Sequence, residues 1–117
     1  MLGLYGRRPD RRMVRLLQNT AARSVLLLGR NIASPAQLKA FTEELTQRLG
    51  RRILFAIDHE GGWVLRFERG MTAFPGNAAL GSVGEPKLAY ATGRQMALEL
   101  GALGIGLNLA PVLDVAT

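Results

Sequence analysis

The residues best suited to chemistry lie in one short segment, where Asp58 and Glu60 precede two glycines and Arg66 follows. This segment comes directly after residues 53–57, a run of five apolar side chains. A carboxylate accepts hydrogen bonds from hydroxyl groups and a guanidinium donates them, while paired glycines permit a sharp turn beside a ligand. Asp58 and Arg66 therefore predict a site that binds hydroxyl groups of a ligand. On chemistry alone, an ion pair that only braces the loop fits them equally well.

Three further side chains of this segment have candidate accessory roles. Glu60 lies two residues after Asp58, so an acid/base pair is not excluded, but we assign Glu60 mainly to bracing the glycine turn through backbone N–H groups. His59 is the only histidine and has no evident partner, which favours a hydrogen-bonding role in the loop over catalysis. Trp63 could offer a face to a sugar, but packing on its own protein is the favoured interpretation.

Four apolar segments predict the strands that position these residues. Residues 24–28 form a continuous apolar run, which is typical of a strand buried on both faces of a parallel sheet. The other three predicted strands are residues 2–5, 53–57 and 105–109. Residues 58–86, which follow the strand at residues 53–57, are predicted to form a long loop.

Three helices are predicted between the strands. Asp10 is a candidate cap for a helix to about residue 22, and Ser34, Pro35 and Gln37 form a capping-box signal for the next helix, which Gly50 ends. Residues 88–103 form the third. The order β-α-β-α-β-loop-α-β predicts an α/β fold with a parallel sheet, and both a doubly wound sheet and a closed barrel remain open.

Function collects at the carboxyl ends of strands in both architectures. Besides Asp58 and Glu60, polar residues stand at two other predicted strand ends. Arg30 and Asn31 follow the first long strand, and Asn108 and Asp114 lie on or after the last. We assign Asp114 to anchoring that strand end.

Composition limits the function classes. The 117 residues suit about one small domain, and the absence of cysteine excludes disulfides, thiolate metal sites and cysteine nucleophiles. No apolar run approaches the ~18 residues of a membrane span, and the first apolar stretch precedes its charges, the reverse of a secretion signal. No metal, cofactor or membrane partner is expected, and the cytoplasm is the default compartment.

The net charge of +6 raises the question of nucleic-acid binding. Six arginines crowd the first segment, but no aromatic residues interleave with them and no nucleic-acid motif accompanies them. A solvated helix face is the favoured interpretation, so no nucleic-acid partner is expected. The six are Arg7, Arg8, Arg11, Arg12, Arg15 and Arg23.

Several ordered motifs carry a resemblance to a known family. They are residues 26–35 (LLLGRNIASP), 57–67 (IDHEGGWVLRF), 74–76 (FPG), 89–104 and 108–115 (NLAPVLDV). Together they resemble the N-terminal (β/α) barrel domain of family 3 glycoside hydrolases. The match is closest to bacterial β-N-acetylhexosaminidases, which release N-acetylglucosamine from cell-wall muropeptides. The resemblance covers residues 1–117 and implies parallel β/α units forming about half of a TIM-type barrel, because complete barrels need roughly 200 residues or more.

The resemblance implies roles for individual residues. Asp58 matches the aspartate that holds hydroxyl groups of the non-reducing amino sugar, and Arg66 matches a second substrate-contacting position. Two positions depart from the family pattern. His59 stands where glutamine is common, and Trp63 stands where arginine is usual, so a basic group is lost near the site.

The resemblance also implies that no catalytic residue lies within this chain. Retaining glycosidases need a carboxylate nucleophile and a separate acid/base, and in the family both follow the equivalent of Thr117. The acid/base there is a loop histidine, and His59 is not in that loop. We therefore expect an inactive partial sugar site that needs the missing barrel half or self-association.

The sequence also bears on two other function classes. The first is a non-catalytic sugar-binding or partner-dependent half-barrel, and it stays open as the alternative. The second is a nucleotide-binding domain, which fails because residues 101–106 (GALGIG) reverse the required glycine order and precede a strand.

Overall fold

The computed structural model describes residues 1–67 and 69–113. Its strands are β1 (Leu2–Gly3), β2 (Ser24–Leu27), β3 (Leu54–Ile57) and β4 (Ile105–Asn108). Its α-helices are α1 (Arg11–Asn19), α2 (Pro35–Leu49), α3 (Asn77–Val83) and α4 (Pro86–Ala102), and a single 3₁₀ turn, Gly29–Asn31, follows β2. None of these helices is both long and apolar enough to cross a bilayer.

The four strands form one parallel sheet in the order β1-β2-β3-β4. Each strand therefore pairs with the next strand along the chain. Doubly wound sheets instead reverse their strand order at a switch point and carry helices on both faces. The parallel α/β prediction is confirmed, and the sequential order favours a barrel segment. Within residues 1–67 and 69–113 the sheet is open, because β1 and β4 are not paired with each other.

The core lies between the sheet and three of the helices. Alternate strand residues point towards this layer, as the two-residue repeat of a strand requires. The apolar helix positions at i, i+3, i+4 and i+7 supply the other side. The buried cluster includes Val25, Leu27, Phe55, Ile57 and Ile105 from the sheet, and Met13, Leu17, Leu38, Phe41, Leu45, Met96 and Leu100 from α1, α2 and α4.

The opposite face of the sheet is apolar and uncovered in the part of the chain that the structure describes. Leu54 alternates with the core residue Phe55, and Leu107 pairs in register with Ala56. A side chain added at Gly106 would meet Leu54 Cδ1 at 3.0 Å, so these residues share one face. Leu54 is 44% exposed and Leu107 36% exposed. A closed barrel would turn this face inwards.

The predicted helix starts are confirmed, with one difference. Asp10 Oδ1 accepts a hydrogen bond from Met13 N at 2.8 Å, and Ser34 Oγ accepts one from Gln37 N at 3.1 Å. The Gln37 side chain, however, accepts from Ala33 N at 2.8 Å. A capping box would have it accept from the N-cap residue itself, so the reciprocal bond is shifted by one residue.

The largest differences from the sequence predictions are the end of one helix and the presence of one additional helix. Helix α1 ends at Asn19, three residues before the predicted end, and α3 (Asn77–Val83) lies inside the segment predicted as a loop. Helix α3 has no buried residue, so its sequence carries no apolar stripe that would signal a helix. Asp114, predicted to anchor the end of the last strand, lies outside the described residues.

Candidate functional site

Asp58 and Arg66 form the centre of the site at the carboxyl end of β3. The Arg66 guanidinium forms a salt bridge with Asp58 Oδ2, and Arg66 Nε donates to the Asp58 carbonyl oxygen at 3.0 Å. Arg66 thus folds back over the strand end and binds both the backbone and the side chain of Asp58. The side chains remain 27% and 28% exposed. The bracing ion pair is therefore present, and it leaves part of both groups open to solvent.

His59 lies beneath this pair, completely buried. Its Nδ1 accepts a hydrogen bond from Arg66 N at 3.2 Å, which fixes the residue that reaches Asp58. The rings of Phe67 and Phe74 contact it edge-on, with centroids 5.7 Å and 6.3 Å away. His59 therefore has the hydrogen-bonding geometry expected of a loop residue, and it supports the site from below. Its Nε2 has no hydrogen-bond partner among the described residues.

The surroundings of His59 favour its neutral form. Burial is the largest influence and lowers the pKa of His59, the negative charge of Glu99 opposes this shift, and the positive charge of Arg66 adds to it. The hydrogen bond from the Thr72 hydroxyl is the main cause that lowers the pKa of Glu99, so Glu99 is ionised near neutral pH. Because Nδ1 is an acceptor, the neutral ring carries its proton on Nε2.

We expect acid to weaken the folded chain through His59. In the unfolded chain His59 takes up a proton near its ordinary pKa of 6.5, whereas the folded chain binds it only at lower pH. The stabilisation is fully present above pH 6.5 and is lost as pH falls from there through the lowered folded pKa. The free energy of unfolding should fall by up to about 1.4 kcal/mol per pH unit within that window.

Urea unfolding followed by circular dichroism between about pH 7 and pH 5.5 measures this loss, and His59→Gln is the matched variant. His59 is the only histidine, so this variant should remove most of the slope. The same slope in both proteins would contradict the assignment.

The Gly61-Gly62 turn is closed by the backbone. Gly62 N donates to Phe74 O at 2.9 Å, and Glu60 N donates to Val64 O at 3.0 Å. Gly61 has φ +90°, and a Cβ there would lie 2.2 Å from the Pro75 carbonyl oxygen. A side chain at position 61 therefore needs both a strained backbone and a displaced loop.

The predicted bracing role of Glu60 is wrong for the described part of the chain. There its carboxylate makes no hydrogen bond to the turn, in which the N–H groups of Glu60, Gly62 and Val64 donate to backbone carbonyls instead. Glu60 instead lines a cleft of about 350 Å³ with Asn77, Thr92 and Asn108 between α3, α4 and the end of β4. Asp58 and Glu60 therefore have different surroundings although they are only two positions apart in the sequence.

The favoured prediction for Trp63 is also wrong. Trp63 is fully exposed and does not pack on the protein. The bonds from Glu60 N to Val64 O and from Val64 N to Gly61 O leave Gly62 and Trp63 at the tip of a tight turn. A side chain at such a tip points away from the core. The ring is thus available as a stacking face, the alternative interpretation of this residue.

The other polar residues at the strand ends hold the backbone in place. Asn108 accepts from His59 N and donates to His59 O, both at 2.9 Å, which joins the ends of β3 and β4. Asn31 is completely buried, accepts from Leu28 N at 3.0 Å and donates to Leu4 O at 3.1 Å. The sequence placed both residues at strand ends but gave no sign of these bonds, because their partners lie up to 49 residues away.

Arg30 also fixes the first loop. Its Nε donates to Leu4 O at 3.0 Å, and its guanidinium lies 4.5 Å from the centre of the Tyr5 ring. Among residues 1–67 and 69–113, no group of three or more histidine and acidic side chains is placed to hold a metal ion.

Comparison with known proteins identifies the family. The glycosyl hydrolase family 3 N terminal domain matches residues 2–117. This chain belongs to that family. The resemblance carried by the motifs is thereby confirmed, and the match includes the segment with Asp58 and Arg66.

Relatives within family 3 agree in sequence and in fold. A beta-hexosaminidase of Methylococcus capsulatus is 42% identical over 118 residues, covering 98% of this chain and 35% of that protein. A glycoside hydrolase family 3 beta-N-acetylglucosaminidase from Paenibacillus sp. str. FPU-7 has a TM-score of 0.93 and 38% identity, covering 98% of this chain and 23% of that chain. Native NagZ from Neisseria gonorrhoeae has a TM-score of 0.88 and 34% identity, covering 98% and 36%.

The family 3 chain described here is short beside these relatives. It spans 34% and 35% of the length of two curated beta-hexosaminidases that it matches. The half-barrel fold is therefore shared with larger proteins of the family.

Proposed function

We propose that this chain supplies part of the amino-sugar site of a glycoside hydrolase that cleaves β-N-acetylglucosaminides, with cell-wall muropeptides as substrates in peptidoglycan recycling. The observation that carries the proposal is the Asp58–Arg66 pair at the carboxyl end of β3, half-buried and partly open to solvent. The family match and the relatives named beta-hexosaminidase support the reaction class.

The pair is arranged to bind hydroxyl groups. Among the described contacts, Arg66 binds Asp58 through Oδ2, so the second carboxylate oxygen is an available acceptor. A guanidinium has five N–H donors, and Arg66 uses Nε and Nη2 in the contacts to Asp58. One acceptor and several donors therefore face the same opening. A hydrogen bond to a charged group contributes about 1.5–3 kcal/mol, which is enough to orient a sugar ring.

The proposal assigns bond cleavage to residues outside this chain. A retaining mechanism needs two carboxyl groups about 5 Å apart on either side of the bond. Asp58 is paired with Arg66, whereas Glu60 lines a separate cleft formed by α3, α4 and the end of β4. In this proposal the chain binds and orients the substrate, and the remainder of the barrel supplies the nucleophile and the acid/base.

The open sheet favours a second candidate function. The uncovered face around Leu54 and Leu107 fits a partner-dependent or non-catalytic sugar-binding half-barrel. The two candidates share the Asp58–Arg66 site and differ only in whether hydrolysis follows binding.

We expect Asp58→Ala to weaken the binding of N-acetylglucosamine at least tenfold. The change removes a charged acceptor worth about 1.5–3 kcal/mol and the group that orients Arg66. Saturation-transfer and chemical-shift titrations by NMR measure the dissociation constant. Glu60→Gln is the matched control, because Glu60 lines the other cleft, and it should bind as the parent chain does. Unchanged binding by Asp58→Ala would rule out this site.

A further inference from the structure

The position of Arg66 depends on the ring of His59. Nδ1 of His59 accepts the hydrogen bond from Arg66 N at 3.2 Å. Within the described part of the chain, no backbone–backbone hydrogen bond joins residues 65–67 to another segment, so this bond to a side chain is what holds the Arg66 backbone there. Arg66 in turn binds Asp58 through Nε and Nη2. A change at the His59 ring therefore reaches the sugar site through Arg66.

The backbone of His59 is held separately by β4. Asn108 accepts from His59 N and donates to His59 O, both at 2.9 Å. The ring is completely buried, and Phe67 and Phe74 contact it edge-on. His59 is thus fixed to the sheet by bonds that do not involve Arg66. When the two groups repel each other, Arg66 is the one that moves.

Protonation of His59 turns its bond to Arg66 into a repulsion. The neutral ring with its proton on Nε2 offers Nδ1 as an acceptor, whereas the protonated ring carries a proton on both nitrogens. Nδ1–H and Arg66 N–H would then be two donors that face each other across 3.2 Å. The cation therefore forms only when Arg66 N moves away, and this movement shifts the guanidinium relative to Asp58.

The charged groups around the ring come from two elements of the described chain. Arg66, paired with Asp58, lies at the end of β3, and Glu99 lies on α4, where Thr72 holds its carboxylate. Residues 72–75 and strand β4 contain no charged residue. Burial is the main cause that lowers the pKa of His59, Glu99 opposes this shift and Arg66 adds to it. The form that the Arg66 bond requires is therefore the form present at neutral pH.

We propose that His59 is a positioning residue of the sugar site, and that Asp58 and Arg66 bind the amino sugar only while its ring is neutral. This inference rests on the proposed function, because the Asp58–Arg66 pair is the proposed sugar site. His59 itself does not contact the sugar, since it is completely buried beneath the pair. It acts by fixing the backbone from which the Arg66 side chain reaches Asp58.

Sugar binding and protonation are then coupled in both directions. The affinity for N-acetylglucosamine should fall to about half its neutral value at the pKa of His59, and by about tenfold for each further pH unit below it. The coupling is reciprocal, so saturating N-acetylglucosamine should lower the pKa of His59.

NMR measures both directions of this coupling in the 117-residue chain. His59 is the only histidine, so its imidazole Cε1–H gives one resonance that reports its pKa with and without N-acetylglucosamine. A pKa measured in this way includes the influence of Glu68, which lies outside the described residues. Chemical-shift titrations give the dissociation constant from about pH 7.5 downwards, at each pH where circular dichroism shows a folded chain.

Two variants of the same shape separate the acceptor from the space that it fills. In His59→Asn the amide oxygen takes the place of Nδ1 as an acceptor and does not titrate. This variant should bind N-acetylglucosamine at neutral pH as the parent chain does, and its affinity should not fall with His59 of the parent. His59→Leu removes the acceptor, and its affinity at neutral pH should be about fivefold weaker, as the loss of one neutral hydrogen bond predicts.

The other outcomes distinguish this inference from the proposed function. Parent affinity that stays constant while the His59 resonance titrates would overturn the inference and leave the sugar site standing. So would equal affinities of the Asn and Leu variants at neutral pH, because Arg66 would then not depend on the acceptor. A fall in affinity that persists in His59→Asn would assign the pH dependence to another group. No binding by the parent chain at any pH would remove the proposed sugar site together with the inference.

Discussion

We expect the 117-residue chain to hydrolyse a chromogenic N-acetylglucosaminide no faster than buffer without protein. Glycosidases need a carboxylic acid and a second carboxylate on opposite sides of the same bond. Here Asp58 is held in a salt bridge with Arg66, and Glu60 lines a separate cleft. His59 is buried with Nδ1 accepting from Arg66 N, so its ring is not placed to transfer a proton to a sugar.

A chimera provides the positive control for this prediction. The chain joined to the segment that follows the matched region in the Methylococcus capsulatus beta-hexosaminidase should regain turnover, because that relative is 42% identical over 98% of this chain. Enzymes accelerate such reactions by at least about 10⁶-fold, so the two outcomes are far apart. Hydrolysis by the chain alone that Asp58→Ala or Glu60→Ala abolishes would show that the described residues are catalytic.

The second large effect expected is self-association of the same chain. The uncovered sheet face presents Leu54 and Leu107 to solvent, and the outer edges of β1 and β4 are unpaired within the described residues. Each large apolar side chain left in water forgoes about 1.5–3 kcal/mol of burial, and a typical domain has only about 5–15 kcal/mol of stability. Open strand edges also form hydrogen bonds with other chains. Dimers or larger species should therefore predominate.

Light scattering and sedimentation at several protein concentrations measure this association. Leu107→Lys places a charge on the uncovered face and should shift the population towards monomer. Leu16→Lys is the matched control, since Leu16 is 43% exposed on α1, away from that face. A sharp monomer with cooperative unfolding at the usual midpoint of a complete domain would contradict the prediction. Equal effects of the two lysine variants would place the contact elsewhere.

The parallel sheet and its helices were predictable because their signals are local. Apolar runs mark β2 and β3, and Asp10 and Ser34 cap helices through atoms only three residues away. Helix α3 was missed for the complementary reason. It buries no side chain, so no apolar period in the sequence distinguishes it from a loop.

The surroundings of the site were predictable only in part. The sequence alone predicted that Asp58 and Arg66 lie together. They are eight positions apart, and the two glycines between them let the chain turn back. Trp63 and Glu60 were misplaced because their environment depends on how the turn is closed. Phe74 O takes the Gly62 N–H at 2.9 Å, which leaves the Glu60 carboxylate without that role and Trp63 at the tip.

The sequence by itself determined the α/β class, the strand that carries Asp58 and the family of the chain. Helix caps, apolar runs and ordered motifs depend only on residues that are close together in the sequence. Tertiary structure alone decided the rest. It buried His59 between Phe67 and Phe74 and joined β3 to β4 through Asn108. These contacts join residues far apart in the chain, and the packing of the loops at the sheet edge fixes their distances.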